Sequence, residues 1–126
     1  HIEFNYNYAD ATRSAAEAYR DGRGVCRDFA HLAIAFCRCM NIPARYCTGY
    51  ISDIGETPPF GPGDHAAWIE VYLGGQWRIF DPRNNKRRIG RILIAQGRDA
   101  SDVPLIHSFG PNILQEFLIV CDPAAD

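Results

Sequence analysis

"VCRDFAHLAIAFCRCM", residues 25–40, decides how this chain is read. Cys26, Phe29, Ala30, Ala33, Phe36, Cys37 and Met40 recur at the spacing of one helix stripe, and Leu32, Ile34 and Ala35 widen it. Arg27, His31 and Arg38 fall on the narrow polar strip that remains. A helix apolar over most of its circumference is expected to be buried. Asn41 and Pro43 stop it. Gly22 and Gly24 separate it from "DATRSAAEAYRDG", residues 10–22, whose Asp10, Thr12 and Ser14 offer caps for a first helix ending near Gly22.

Strands surround these helices. "IEFNYNY", residues 2–8, alternates apolar and polar residues and reads as a short strand. "ARYCTGYIS", residues 44–52, is a second strand, and residues 53–64, with three prolines and three glycines, form a loop. Residues 67–73 and 76–81 read as a hairpin turning at Gly74-Gly75, a pair suited to positive φ. A basic loop at 84–88, a strand at 91–95, a turn at 97–102 and a last strand at 114–121 follow. Helices first and antiparallel strands after argue for an α+β fold, with residues 1–126 as one domain.

Composition limits the function classes. The chain is 47% hydrophobic and 22% charged with net charge −2, so no broad basic surface points to nucleic acid or acidic lipid. No apolar run reaches the roughly 18 residues that span a bilayer. The chain begins at His1 without methionine and shows no signal peptide, so it reads as a piece of a longer protein. Contact with the rest of that chain is expected, and a targeting signal would lie in the missing part. Five cysteines, odd in number and without a CxxC pair, read as reduced thiols in a cytoplasmic compartment. Cys37 and Cys39 point in different directions on a helix, so no metal site is expected.

Two residues carry chemistry by position. Cys26 opens the apolar helix, where free N–H groups and the helix dipole stabilise a thiolate and can hold an oxyanion. Its bland reading is an inert core cysteine. Asp81 ends the second hairpin strand before Pro82, where a carboxylate can orient an imidazole or simply start a turn.

"GVCRDFAHLAIAFCRCMNIPARYCTGY" followed by "AWIEVYLGGQWRIFDPRNN" resembles the transglutaminase-like superfamily, and most of all its bacterial cysteine-protease-like members. The resemblance implies a papain-like α+β core, with a cysteine at the start of a central helix packed on a small antiparallel sheet that carries histidine and aspartate. It implies that Cys26 is the nucleophile and Asp81 the orienting acid, that no cofactor is needed, and that the substrate is a peptide or protein amide. The family's His-Ala-Trp reads Ala66-Ala67-Trp68 here, with His65 one place earlier.

In a strand, His65 shares a face with Ala67 and Ile69, and Ala66 shares one with Trp68 and Glu70. Three explanations stand open: a bulge at residues 64–67 that turns His65 towards Cys26, a natural alanine in a domain that binds or uses another base, or an introduced knock-out. His31, about 140° around the helix from Cys26, reads as a partly exposed surface histidine. His107 is unplaced and His1 lies at the chain start. Tyr50 and Trp68 are candidates to line a substrate cleft or to pack a core. Asp28 is assigned a cap or a pairing with Arg27. Arg83, Lys86, Arg87, Arg88 and Arg91 form a basic cluster, either a solvated loop or a site for an acidic substrate or the rest of the chain. The leading function is thiol-dependent acyl transfer on amides, with hydrolysis preferred. The alternatives are an inactive binding or scaffolding domain and a structural piece of a larger assembly.

Overall fold

A computed structural model describes residues 1–61 and 63–125. Pro62, in the loop read at 53–64, and Asp126 lie outside the described residues. Among the described residues, two helices, six strands and two short 3-10 turns form an α+β fold. Helix α1, Ala15–Asp21, starts at Ser14, whose hydroxyl and the Glu17 side chain cap each other's backbone N–H groups, and ends at Gly22 with φ 63°. Helix α2, Cys26–Cys39, ends where Asn41 takes φ 56°.

Strands β3 (Ala44–Ile51), β4 (Asp64–Leu73), β5 (Gln76–Phe80) and β6 (Arg91–Gly97) form one antiparallel sheet in the order β5-β4-β3-β6. Gly74 and Gly75 take φ 59° and 79°, as a two-residue turn between β4 and β5 requires. Strand β1 (Glu3–Phe4) pairs in parallel with β2 (Arg23–Gly24), next to the start of α2.

Four expectations change. The strand read at residues 2–8 shrinks to β1, because the Asn5 side chain accepts the Asn7 N–H and caps a 3-10 turn over Tyr6–Tyr8. No strand forms at 114–121, which runs irregularly past the start of β4, with Ile119 against Gly63 and Phe117 against His65. Helix α2 is not buried all round. Ala30 and Ile34 are buried, but Phe36 is 55% and Met40 73% exposed, because α1 is only seven residues long and the sheet covers one side. The basic cluster is mostly spent on internal pairs: Lys86 with Glu56, Arg88 with Asp53, Arg91 with Asp81, and Arg83 over the Phe4 ring.

The two faces of the sheet have separate cores. Ala67, Ile69 and Val71 of β4 join Tyr46, Ala30 and Ile34, with Cys26 packed against them. Ala66 and Trp68 join Cys47 and Ile51 on the other face. At roughly 1.5–3 kcal/mol for each large side chain taken from water, the first cluster holds α2 on the sheet, and the two together fix which face each β4 residue takes.

Candidate active site

The start of α2 is built by a carboxylate. Asp28 is 1% exposed, and its Oδ2 accepts the Val25 N–H at 2.8 Å. Arg13 and Arg27 approach the same carboxylate at 3.3 and 3.5 Å. The N–H groups of Asp28 and Phe29 both go to the Val25 carbonyl, which leaves those of Cys26 and Arg27 as the open donors of the helix end. A Cβ on Gly24 would fall 2.5 Å from Asp28 Oδ2, so the glycine before the cysteine makes room for that carboxylate.

Cys26 packs against the β4 face of Ala67, Ile69 and Val71, beyond the end of β5. Burial pushes its thiol above the ordinary value, and the nearby backbone N–H groups of Ala67 and Arg27 and the Arg83 charge only partly offset this. The helix start alone was expected to favour the thiolate. In a site this buried, with no cation in contact, desolvation wins. Cys26 is a thiol at neutral pH and needs a base.

The strand geometry at His65 differs from both expectations. Residues 64–71 pair one for one with β3 and contain no bulge; the register shift of this sheet lies at Thr48/Gly49, between β3 and β6. The regular strand still puts His65 on the α2 side, because the face that packs on α2 is that of Ala67, Ile69 and Val71, not that of Trp68. Ala66 therefore points to the far face.

His65 and Cys26 line one cleft of about 900 Å3 with Thr48, Tyr46 and His31, but no hydrogen bond joins His65 to the thiol among the described residues. Its Nε2 lies 3.1 Å from Thr48 Oγ1, and that hydroxyl donates to the Ala66 carbonyl at 3.3 Å. With its one hydrogen so used, the hydroxyl accepts Nε2–H, and the Nδ1 lone pair is the free one. Tyr50 and Phe117 stand edge-on to the ring, at 5.9 and 5.8 Å between centroids. Burial holds His65 below its ordinary range against the pull of Asp64, so the ring is neutral at pH 7.

Asp81 is on the far side. It follows Phe80, the partner of Ile69, and its carboxylate is bound by the Asn84 N–H at 3.0 Å, Asn84 Nδ2 at 2.8 Å and Arg91 Nη2 at 3.2 Å. The Arg91 guanidinium also lies 4.6 Å over the Trp68 ring. No imidazole touches Asp81. Trp68, 1% exposed, is core rather than cleft, and Tyr50 touches the cleft only through His65. His31 is partly exposed, as expected, but it is not free: its ring packs on Tyr46 and accepts a backbone N–H from Ala100. His107 stacks on exposed Phe109, and His1 binds the Tyr19 carbonyl, both remote from Cys26.

Thr48 and the wall at 98–105 were missed in the sequence. A threonine inside the apolar "RYCTGYI" was the one available signal; the wall is a contact made at long range. Among the described residues no helix is long and apolar enough to cross a membrane.

A cysteine opening a helix that packs on an antiparallel sheet, with a histidine on the facing strand, is the α+β arrangement of a transglutaminase-like core. The chain belongs to the transglutaminase-like superfamily, whose core model matches residues 1–82. It is 38% identical over 96 residues to an uncharacterized protein of Mycobacterium leprae, covering 71% of this chain and 33% of that protein. It is 33% identical over 117 residues to an uncharacterized protein of Mycobacterium tuberculosis, covering 82% and 37%. A crystal structure described as a "Putative Cysteine Protease" from Cytophaga hutchinsonii matches with TM-score 0.70 and 42% identity over 81% of this chain and 33% of that one. The chain thus spans about a third of the length of these relatives.

Proposed function

We propose that this chain performs thiol-dependent acyl transfer on peptide or protein amides, with water as the acceptor. The observation that carries the reading is that Cys26 and His65 line one cleft from facing elements, on one side of the sheet. His65 and Ala67, against which Cys26 packs, are two strand residues or about 6.8 Å apart at Cα, a span an imidazole covers by turning about χ1. That turn gives up the Thr48 bond, at a net cost of about 1 kcal/mol. Nδ1 then takes the Cys26 proton as Sγ bonds to the carbonyl carbon. The Cys26 and Arg27 N–H groups hold the oxyanion. The imidazolium returns the proton to the nitrogen as the C–N bond breaks, leaving a thioester and a free amine. Water, deprotonated by the same imidazole, attacks the thioester and releases the acid and the thiol. A reducing compartment such as the cytoplasm keeps that thiol competent; all five cysteines are free.

The test is hydrolysis of a casein-derived peptide mixture followed by mass spectrometry. Cys26→Ser should abolish the cleavage, and His65→Ala should slow it about a hundredfold or more. Turnover that survives Cys26→Ser refutes the reading.

A second reading, an impaired domain that only binds, is favoured by one observation: Ala66 and Asp81 share the far face, and Asp81 is committed to Asn84 and Arg91. It expects an inert wild type whose Cys26 alkylation rate does not change in His65→Ala. Under the first reading, His65→Ala lowers that rate.

A further inference from the structure

The polar strip of α2 fits neither a solvated face nor the acyl-transfer machinery. Arg27 donates to the carbonyls of Asp10, Ala11 and Arg13 at 3.3, 2.8 and 2.9 Å, and so pins one wall of the cleft. Arg38 donates to the Arg98 carbonyl at 2.8 Å, and His31 Nε2 accepts the Ala100 N–H at 3.0 Å, and together these pin the opposite wall. Three side chains of one helix stripe thus tie down two loops that have no sheet or helix pairing of their own across the cleft, the second of which also packs Ala100 and Val103 on the core.

Two of the three are arginines, charged at every relevant pH. The third is not. A backbone N–H can only donate, so Nε2 must carry a lone pair and the ring proton sits on Nδ1. A second proton would occupy that lone pair and turn an acceptor into a donor facing a donor.

We propose that His31 is a positioning residue that ties the wall at residues 98–105 to α2 at Ala100 in its neutral form and loosens it there on protonation, so that acid widens the cleft beside Cys26. The groups facing His31 are Arg27, Asp28 and Arg38 from α2, Tyr46 from β3 and Asp99 from the wall itself; Cys26 lies just over one turn back. Burial first, then the Arg27 charge, hold His31 below its ordinary value, against Asp99 and Asp28. The wall is therefore held throughout the neutral range. The stability it contributes falls as pH drops below the ordinary histidine value and is gone below the folded one. Arg98 does not interfere, since it is 81% exposed and paired with Asp102.

Hydrogen exchange tests this without reference to turnover, so it stands or falls apart from the proposed chemistry. Wild type and His31→Gln, whose amide oxygen can accept the same N–H but does not titrate, are compared at about pH 8 and about pH 5. Protection of amides 100–103 in wild type, relative to His31→Gln at the same pH, should fall about fivefold to tenfold on acidification, the loss of one hydrogen bond. Amides of the β3–β4 pair should not respond. Parallel behaviour of the two proteins, a loss shared by the β3–β4 amides, or an imidazole 15N spectrum with the proton on Nε2 at about pH 8 overturns the proposal.

Discussion

Replacing Asp28 should cost more than any other single change at the helix start, and the size follows from its partners. The side chain is 1% exposed, its oxygen caps Val25 N–H, and it neutralises Arg13 and Arg27, whose side chains are 11% and 20% exposed. Losing the cap costs about 1 kcal/mol. Breaking a buried ion pair costs about 3–5 kcal/mol when the remaining charge is stranded. Here it is not wholly stranded. Arg13 keeps the Tyr8 carbonyl at 2.8 Å and Asp21 at 3.5 Å, and Arg27 keeps its three carbonyls. The ion-pair loss therefore falls to about 2–3 kcal/mol. Asp28→Ala should lose about 3–4 kcal/mol in all, and Asp28→Asn, which keeps an acceptor for Val25, about 2–3 kcal/mol. With a urea m-value of about 2 kcal/mol/M, the midpoints drop by about 1.5–2 M and 1–1.5 M. Urea unfolding followed by circular dichroism reads both. A loss under about 1 kcal/mol for the alanine variant, or no difference between the two, refutes the assignment of both cap and charge to this carboxylate.

Alkylation of Cys26 by iodoacetamide should climb with pH through the ordinary thiol value of 9.0 before levelling, because burial raises its pKa; mass spectrometry of the labelled peptide that finds a plateau already at about pH 8 contradicts this. Gly49→Ala should lose about 3 kcal/mol in thermal or urea unfolding, since its Cβ would sit 2.0 Å from the Ile92 carbonyl oxygen and 2.9 Å from Trp68; a loss under about 1 kcal/mol means that the Thr48/Gly49 irregularity can shift. Arg91→Met should lose about 2–3 kcal/mol, since Asp81, 2% exposed, keeps only Asn84, and adding Asp81→Leu should restore part of it; additive losses in that cycle would mean the pair is not coupled.

The sequence by itself determined the elements near the site. The stripe from Cys26 to Met40, Ser14 with Glu17, the stop at Asn41 and Pro43, and Gly74-Gly75 are local signals, and α1, α2 and the hairpin form where they place them. The family and the cysteine at the helix start were also legible, because motif and spacing carry both. Alternation along β4 correctly separated His65 from Ala66. Which of the two looks towards Cys26 is decided by the face on which α2 docks, and that depends on Ala30 and Ile34 meeting Ala67 and Ile69 across the fold. The thiol's protonation followed the same logic: the helix end is written in the chain, but the burial that outweighs it is made by packing. Asp81 ended up with Arg91, ten residues on, and the polar strip of α2 ended up holding two cleft walls, because partners for buried charges are assigned by the tertiary fold and not by the period of one helix.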